Sequence, residues 1–134
     1  SLPLTGTGEE TRDFTYVLDL IQGLLKAAFY EKAIGQAFNL ASGKETKIKD
    51  MISMVNNATG NSTPITQYPP RKWDTKKRLL ASIELAGELI DYKPIVSFED
   101  GLKSNFNWFN NNWDKIQQVA DFPVGMSSAV RKKQ

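Results

Sequence analysis

At 134 residues, 40% hydrophobic and 24% charged, the chain has the size and composition of one globular domain, too little for a dinucleotide-binding domain plus a substrate domain. Its 17 Lys and Arg against 15 Asp and Glu leave a net charge of +2, which gives no electrostatic case for a nucleic-acid partner. The absence of Cys and His excludes disulfides, thiolate chemistry, a Ser-His-Asp hydrolase and His-based zinc sites, and no metal site is expected.

No apolar run reaches the ~18–20 residues that span a bilayer, so no membrane partner is expected. The start, Ser1-Leu2-Pro3-Leu4-Thr5, lacks the basic and apolar regions of a signal peptide, which implies a cytoplasmic protein. It also lacks an initiator Met, and the expectation is that the chain starts where something was removed or replaced. Asn57-Ala58-Thr59 and Asn61-Ser62-Thr63 match the glycosylation pattern and are read as a polar loop. The basic run Arg131-Lys132-Lys133 reads as a solvated tail.

In chain order, Leu2 to Gly8 reads as an extended piece closed by a Gly-Thr-Gly turn, and Asp13 to Val17 favours extended structure. Val17, Ile21, Leu24 and Ala28 then recur at helical spacing, with Leu18 and Leu25 beside them, predicting a helix over Val17 to Tyr30. Gly35 breaks it, and Ala37 to Ala41 is an apolar run suited to a buried strand. Thr46 is placed to cap a helix over Lys47 to Thr59, with Ile48, Met51, Ile52 and Val55 on one face and Gly60 past its end. Ile65 to Tyr68 is extended up to Pro69-Pro70. Arg78 to Ala81 reads as a short strand, and Ser82 as the cap of a helix carrying Ile83, Leu85, Ala86, Leu89 and Ile90. Ser97-Phe98-Glu99-Asp100 resembles a capping box that opens a helix over Phe98 to Val119. Residues 122–134 read as coil. The expected class is α+β, helix-rich, with a few short strands.

Residue types alone leave several roles open. Arg12 beside Asp13 suits a local salt bridge, or its planar fork suits a phosphate. Arg71 follows two prolines that stiffen the backbone, and Asp74 is spaced to accept from ribose hydroxyls; a solvated loop is the alternative. Gly6-Thr7-Gly8 is a turn and not a dinucleotide loop, because Thr11 stands where the third Gly would be. Trp108 and Trp113, in a helix with Phe106 and Phe109, are read as core packing. Glu9, Glu10, Glu45, Glu99 and Asp100 are read as capping or solvated groups.

Four blocks, in order, carry a resemblance: Pro3 to Asp19, with Thr11-Arg12-Asp13-Phe14; Phe38 to Thr46, with Phe38-Asn39-Leu40-Ala41-Ser42-Gly43; Arg71 to Arg78, with Arg71-Lys72-Trp73-Asp74; and Pro94 to Phe109, with Glu99-Asp100-Gly101-Leu102. Together they resemble the C-terminal, substrate-binding part of the extended short-chain dehydrogenase/reductases, the NAD-dependent nucleotide-sugar epimerases and dehydratases similar to UDP-glucose 4-epimerase. The resemblance implies a nucleotide-sugar-binding unit over residues 1–122, a tail over 123–134, and no Rossmann core. It implies that Arg12 and Arg71 contact the diphosphate, Asp74 the ribose, and Pro3, Leu4 and Thr5 the base through backbone groups. Asp19 matches an acidic position expected to be structural.

The intact enzyme would oxidise a hexose transiently at C4 with bound NAD and a Tyr-x-x-x-Lys pair. Neither that pair nor the glycine-rich loop occurs here, so no catalytic residue is assigned, and the chain alone is expected to bind no NAD and to be inactive. The expected partner is a nucleotide sugar, a UDP-hexose. The alternatives are a dehydratase or reductase portion, or a stand-alone binding module. In relatives the Val17–Tyr30 helix and Phe38–Ala41 strand pack on the cofactor domain. Self-association that buries Leu18, Leu25 and Phe38 is therefore expected here.

Overall fold

A computed structural model describes residues 2–119 of the chain. The predicted coil and tail beyond residue 122 lie outside the described residues. Five short strands form: β1 Leu2–Thr5, β2 Thr11–Asp13, β3 Glu45–Lys47, β4 Ile65–Tyr68 and β5 Arg78–Leu79. Four helices accompany them: α1 Val17–Phe29, α2 Ile48–Thr59, α3 Glu84–Ile90 and α4 Phe98–Val119. No described helix is long and apolar enough to cross a membrane.

The strands make two small sheets. β1 pairs with β4 in parallel, Leu2 opposite Ile65 and Thr5 opposite Tyr68. β2 is the centre of the other sheet, antiparallel to β3 and parallel to β5, so Arg12 stands between Thr46 and Leu79. Arg78 forks onto the Glu45 carboxylate at 2.8 Å for both contacts, and the Thr11 hydroxyl donates to the same carboxylate at 2.6 Å. One residue from each strand thus ties the sheet laterally.

The core is small. Ala86, Ile90 and Tyr92 are buried, with Ala27, Phe38, Leu40 and Leu89 packed against them. Tyr92, 2% exposed, donates its hydroxyl to the Ala41 carbonyl at 3.1 Å. Asp19 is the buried charge of α1, 3% exposed, and accepts from the N–H groups of Ile95 (3.2 Å) and Val96 (3.0 Å). That is the structural part expected of it: the carboxylate satisfies two backbone donors and fixes the approach to α4.

Several expectations give way. Residues 37–41 form no strand; Phe38 and Leu40 lean on the core instead, and among the described residues no strand lies beside them to take a ladder. Phe38 is therefore half-buried rather than part of an exposed patch. The extended stretch predicted from Asp13 to Val17 shrinks to Asp13, the last residue of β2, and the strands at Leu2 and Arg78 are shorter than predicted. Thr46 lies in β3 and caps nothing; the first N–H groups of α2 donate to loop carbonyls, Ile48 to Glu10 (3.0 Å) and Lys49 to Gly8 (2.9 Å). The Ser82 hydroxyl reaches Glu84 N–H only at 3.5 Å, a marginal contact. Half of the Ser97 box forms: Asp100 N–H donates to Ser97 Oγ at 3.1 Å, but the Asp100 carboxylate accepts from that same hydroxyl at 2.6 Å in place of the Ser97 N–H.

α1 presents the exposed apolar surface expected of it. Asp19 and Gly23 are buried, whereas Val17, Leu18, Ile21, Leu24, Leu25 and Phe29 are 43–83% exposed. Its small and polar face points into the described chain and its apolar stripe points out. Trp108 and Trp113 are 55% and 52% exposed, so they are not core residues. They project from the stretch of α4 beyond Leu102, which shares a cleft with Met54 of α2.

Candidate functional site

The site is built around the turn that follows β1. Gly6 (φ +90°) donates its N–H to the Tyr68 carbonyl at 3.0 Å, while its own carbonyl accepts from the Gln67 side-chain amide at 2.8 Å. Gly8 (φ +80°) completes the reversal, a left-handed conformation that suits glycine. The Glu10 carboxylate closes it, accepting from Gly8 N–H (2.8 Å), Thr7 N–H (3.3 Å) and the Thr7 hydroxyl (3.2 Å). Its own backbone N–H first, and then those of Thr7 and Gly8 with the Thr7 hydroxyl, hold the Glu10 carboxyl below its usual range. A protein carboxylate thus fills the nest in which a dinucleotide loop would seat phosphate. The Gly-Thr-Gly segment is a turn, as its spacing predicts.

Arg12 makes no salt bridge with Asp13. Asp13 turns to the 42–43 segment, accepting from Ser42 N–H (2.9 Å), the Ser42 hydroxyl (2.5 Å) and Gly43 N–H (3.0 Å). Arg12 donates Nη1 to the Thr11 carbonyl at 2.7 Å, and among the described residues no carboxylate pairs with it. Its other guanidinium donors remain open to a ligand.

Arg71 and Asp74 lie across a tight turn, with Asp74 N–H donating to the Arg71 carbonyl at 2.9 Å. The side chains interlock: Arg71 Nε to Oδ2 at 2.6 Å and Nη2 to Oδ1 at 3.2 Å. The guanidinium also lies 5.7 Å from the centre of the Trp73 ring. Asp74 is held below the usual carboxylate range, first by the hydrogen bond from Arg71 and further by the charges of Arg71 and Arg12. Arg71 is raised in turn by Asp74.

These pieces converge on a cleft of about 400 Å³. β1 supplies Pro3, Leu4 and Thr5; β2 supplies Arg12; the loop after the two prolines supplies Arg71 and Asp74. All six residues proposed from sequence line this one cleft. Glu10 and the α2 residues Ile48, Met51 and Ile52 complete it, and sequence reasoning missed their part. The α2 residues were read only as one apolar face of a helix, and nothing in that periodicity says that the face meets a ligand cleft. The result is an apolar wall in one cleft with two guanidiniums, the Asp74 carboxylate and the Glu10 carboxylate already taken up by the turn, which suits a molecule with a flat apolar end, an anionic middle and hydroxyls. Among the described residues no group of three acidic, Cys or His side chains is placed to hold a metal. A second cleft of about 310 Å³, between Phe14–Val17 and Val96–Asn105, is lined by no charged side chain.

No family model matches the chain. It is 30% identical over 107 residues to a putative UDP-glucose 4-epimerase of Methanocaldococcus jannaschii, which covers 80% of this chain and 33% of the relative. It superposes with a TM-score of 0.84 on the structure of an epimerase from Methanothermobacter thermautotrophicus, at 44% identity, covering 87% of this chain and 35% of that one. With the UDP-glucuronic acid 4-epimerase of Bacillus cereus, solved in complex with UDP-glucuronic acid and NAD, the TM-score is 0.69 at 32% identity, covering 81% and 35%. The chain thus spans about a third of the length of the proteins it matches. It belongs to the extended short-chain dehydrogenase/reductases, in the NAD-dependent nucleotide-sugar epimerase/dehydratase family. Its helix-rich fold with few short strands corresponds to part of that larger architecture.

Proposed function

We propose that the chain is the C-terminal, nucleotide-sugar-binding part of a UDP-hexose epimerase. Arg12 and Arg71 clamp the diphosphate, Asp74 accepts from the ribose hydroxyls, and Pro3, Leu4 and Thr5 line the base against Ile48, Met51 and Ile52. The observation that carries this reading is the convergence of Arg12, Arg71 and Asp74, from separate segments, on one cleft with an apolar wall. Guanidiniums are well matched to phosphate oxygens, and a desolvating wall strengthens such contacts.

The described residues do not fit NAD: the only Gly-x-Gly turn is closed by Glu10. The dinucleotide and the catalytic Tyr-Lys pair then belong to the rest of the intact enzyme, and this chain alone binds substrate without turnover. The cofactor would supply transient oxidation of the sugar, and the residues here would hold the nucleotide and leave the hexose projecting toward it. The exposed apolar stripe of α1 would pack on that remaining part, in the cytoplasm. One relative, 30% identical, carries the name UDP-N-acetyl-alpha-D-glucosaminuronate decarboxylase, so the named reaction differs among relatives.

Calorimetric titration with UDP, UDP-glucose and dTDP-glucose tests this. Arg12→Ala together with Arg71→Ala should weaken UDP binding by at least about 100-fold, since hydrogen bonds to charged groups contribute about 1.5–3 kcal/mol each. Equal affinity in the double variant would overturn the diphosphate clamp.

A further inference from the structure

The Arg71–Asp74 fork sets two groups of the same cleft against each other. Both carboxylate oxygens of Asp74 are engaged, at 2.6 and 3.2 Å, and the pair shares a cleft with Arg12. A phosphate that seeks Arg71 meets a guanidinium already bound to an anion. It must displace the carboxylate or lie beside it, and like charges on one guanidinium repel. A bare phosphate anion offers Asp74 at most its own P–OH groups, on a species that carries the repelling charge itself. A nucleoside diphosphate offers more: its ribose hydroxyls donate to the carboxylate as the phosphates take the guanidinium.

We propose that Asp74 is a specificity-determining residue, selecting nucleoside diphosphates over inorganic phosphate and pyrophosphate by holding the Arg71 fork until ribose hydroxyls replace it. This rests on the nucleotide-sugar reading of the cleft and adds what that reading lacks, a means by which two guanidiniums in one cleft would discriminate against simple anions. The geometry is local. Asp74 sits three residues from Arg71 in a turn preceded by Pro69-Pro70, so the exchange of partners needs only side-chain rotation. Trp73, whose ring lies near the guanidinium, gives Arg71 a surface on which to stay while the carboxylate leaves.

The test compares inorganic pyrophosphate and UDP, titrated by calorimetry against the 134-residue chain and its Asp74→Asn, Asp74→Ala and Arg71→Ala variants at one pH and salt. Thermal melts confirm that each variant is folded. Release of a surface ion pair should make pyrophosphate bind about two- to five-fold tighter in both Asp74 variants. UDP should bind about ten-fold weaker in the same proteins, having lost a charged acceptor for its ribose. A simple structural role for Asp74 would weaken both ligands. Pyrophosphate binding that is unchanged, weaker or undetectable in the Asp74 variants, with UDP still weakened by Arg71→Ala, overturns the selectivity and leaves the cleft reading standing. UDP binding indifferent to Arg71→Ala overturns both.

Discussion

Gly23 in α1 faces the ring of Tyr92 so closely that a β-carbon at position 23 would lie 2.8 Å from Tyr92 Cε2 and 2.7 Å from Leu40 Cδ2. The Tyr92 ring cannot easily yield, since its hydroxyl is anchored on the Ala41 carbonyl. Ala would gain about 0.5–1 kcal/mol in helix propensity over Gly. Overpacking costs about 1–3 kcal/mol, so it should win. Gly23→Ala is expected to destabilise the chain by about 1 kcal/mol in urea unfolding, the opposite of the usual result for a Gly inside a helix.

Tyr92 also gives the chain an alkaline limit. Burial raises its hydroxyl above the usual value near 10, with the charges of Asp19 and Asp13 adding to the effect. The folded state therefore keeps a proton that the unfolded chain gives up. Stability is fully present below pH about 10 and falls as pH rises from there toward the folded-state value. Tyr92→Phe should cost about 1–2 kcal/mol at pH 7, because it orphans the Ala41 carbonyl. The gap between wild type and variant should narrow above pH 10. Denaturant titrations at pH 7, 9 and 11 check both parts, and a gap constant with pH would refute the second.

Asp19 predicts a larger effect. Its carboxylate alone accepts from Ile95 and Val96, whose N–H groups have no strand to pair with. Asp19→Ala should lower stability by about 2–3 kcal/mol, and Asp19→Asn by less, as its amide keeps one accepting oxygen. Hydrogen exchange should locate the loss at residues 95 and 96. Protection unchanged there would mean the two bonds matter little.

The sequence made the cleft more legible than the packing. Arg12, Arg71 and Asp74 were placed by motif, and motif survives the loss of tertiary context. The helices were legible too, because a 3.6-residue period is local. Which side of a helix is covered is not local. The apolar stripe of α1 has no cover among the described residues, and its exposure was expected from the family resemblance and not from the periodicity, which locates a helix without saying what covers it. The same holds for Trp108 and Trp113, and for residues 37–41, whose strand propensity finds no neighbour to pair with. The cap of α2 escaped because its partners are the backbone carbonyls of Gly8 and Glu10, invisible to a reading of side-chain types.

The exposed stripe of α1 carries the last prediction. Leu18 and Leu25 are each more than half exposed, lie seven residues apart on one side of the helix, and are flanked by Ile21 and Phe29. A patch of that kind associates with something, and where this chain is alone it should associate with itself. Leu18→Glu together with Leu25→Glu should shift light scattering toward monomer while changing the melting free energy by less than about 0.5 kcal/mol, as surface substitutions do. Phe38→Glu is the contrast, since Phe38 leans on the Ala86–Ile90–Tyr92 cluster: it should destabilise the fold. A wild-type chain that stays monodisperse and monomeric at high concentration would refute the association and leave the stripe as an exposed face the monomer tolerates.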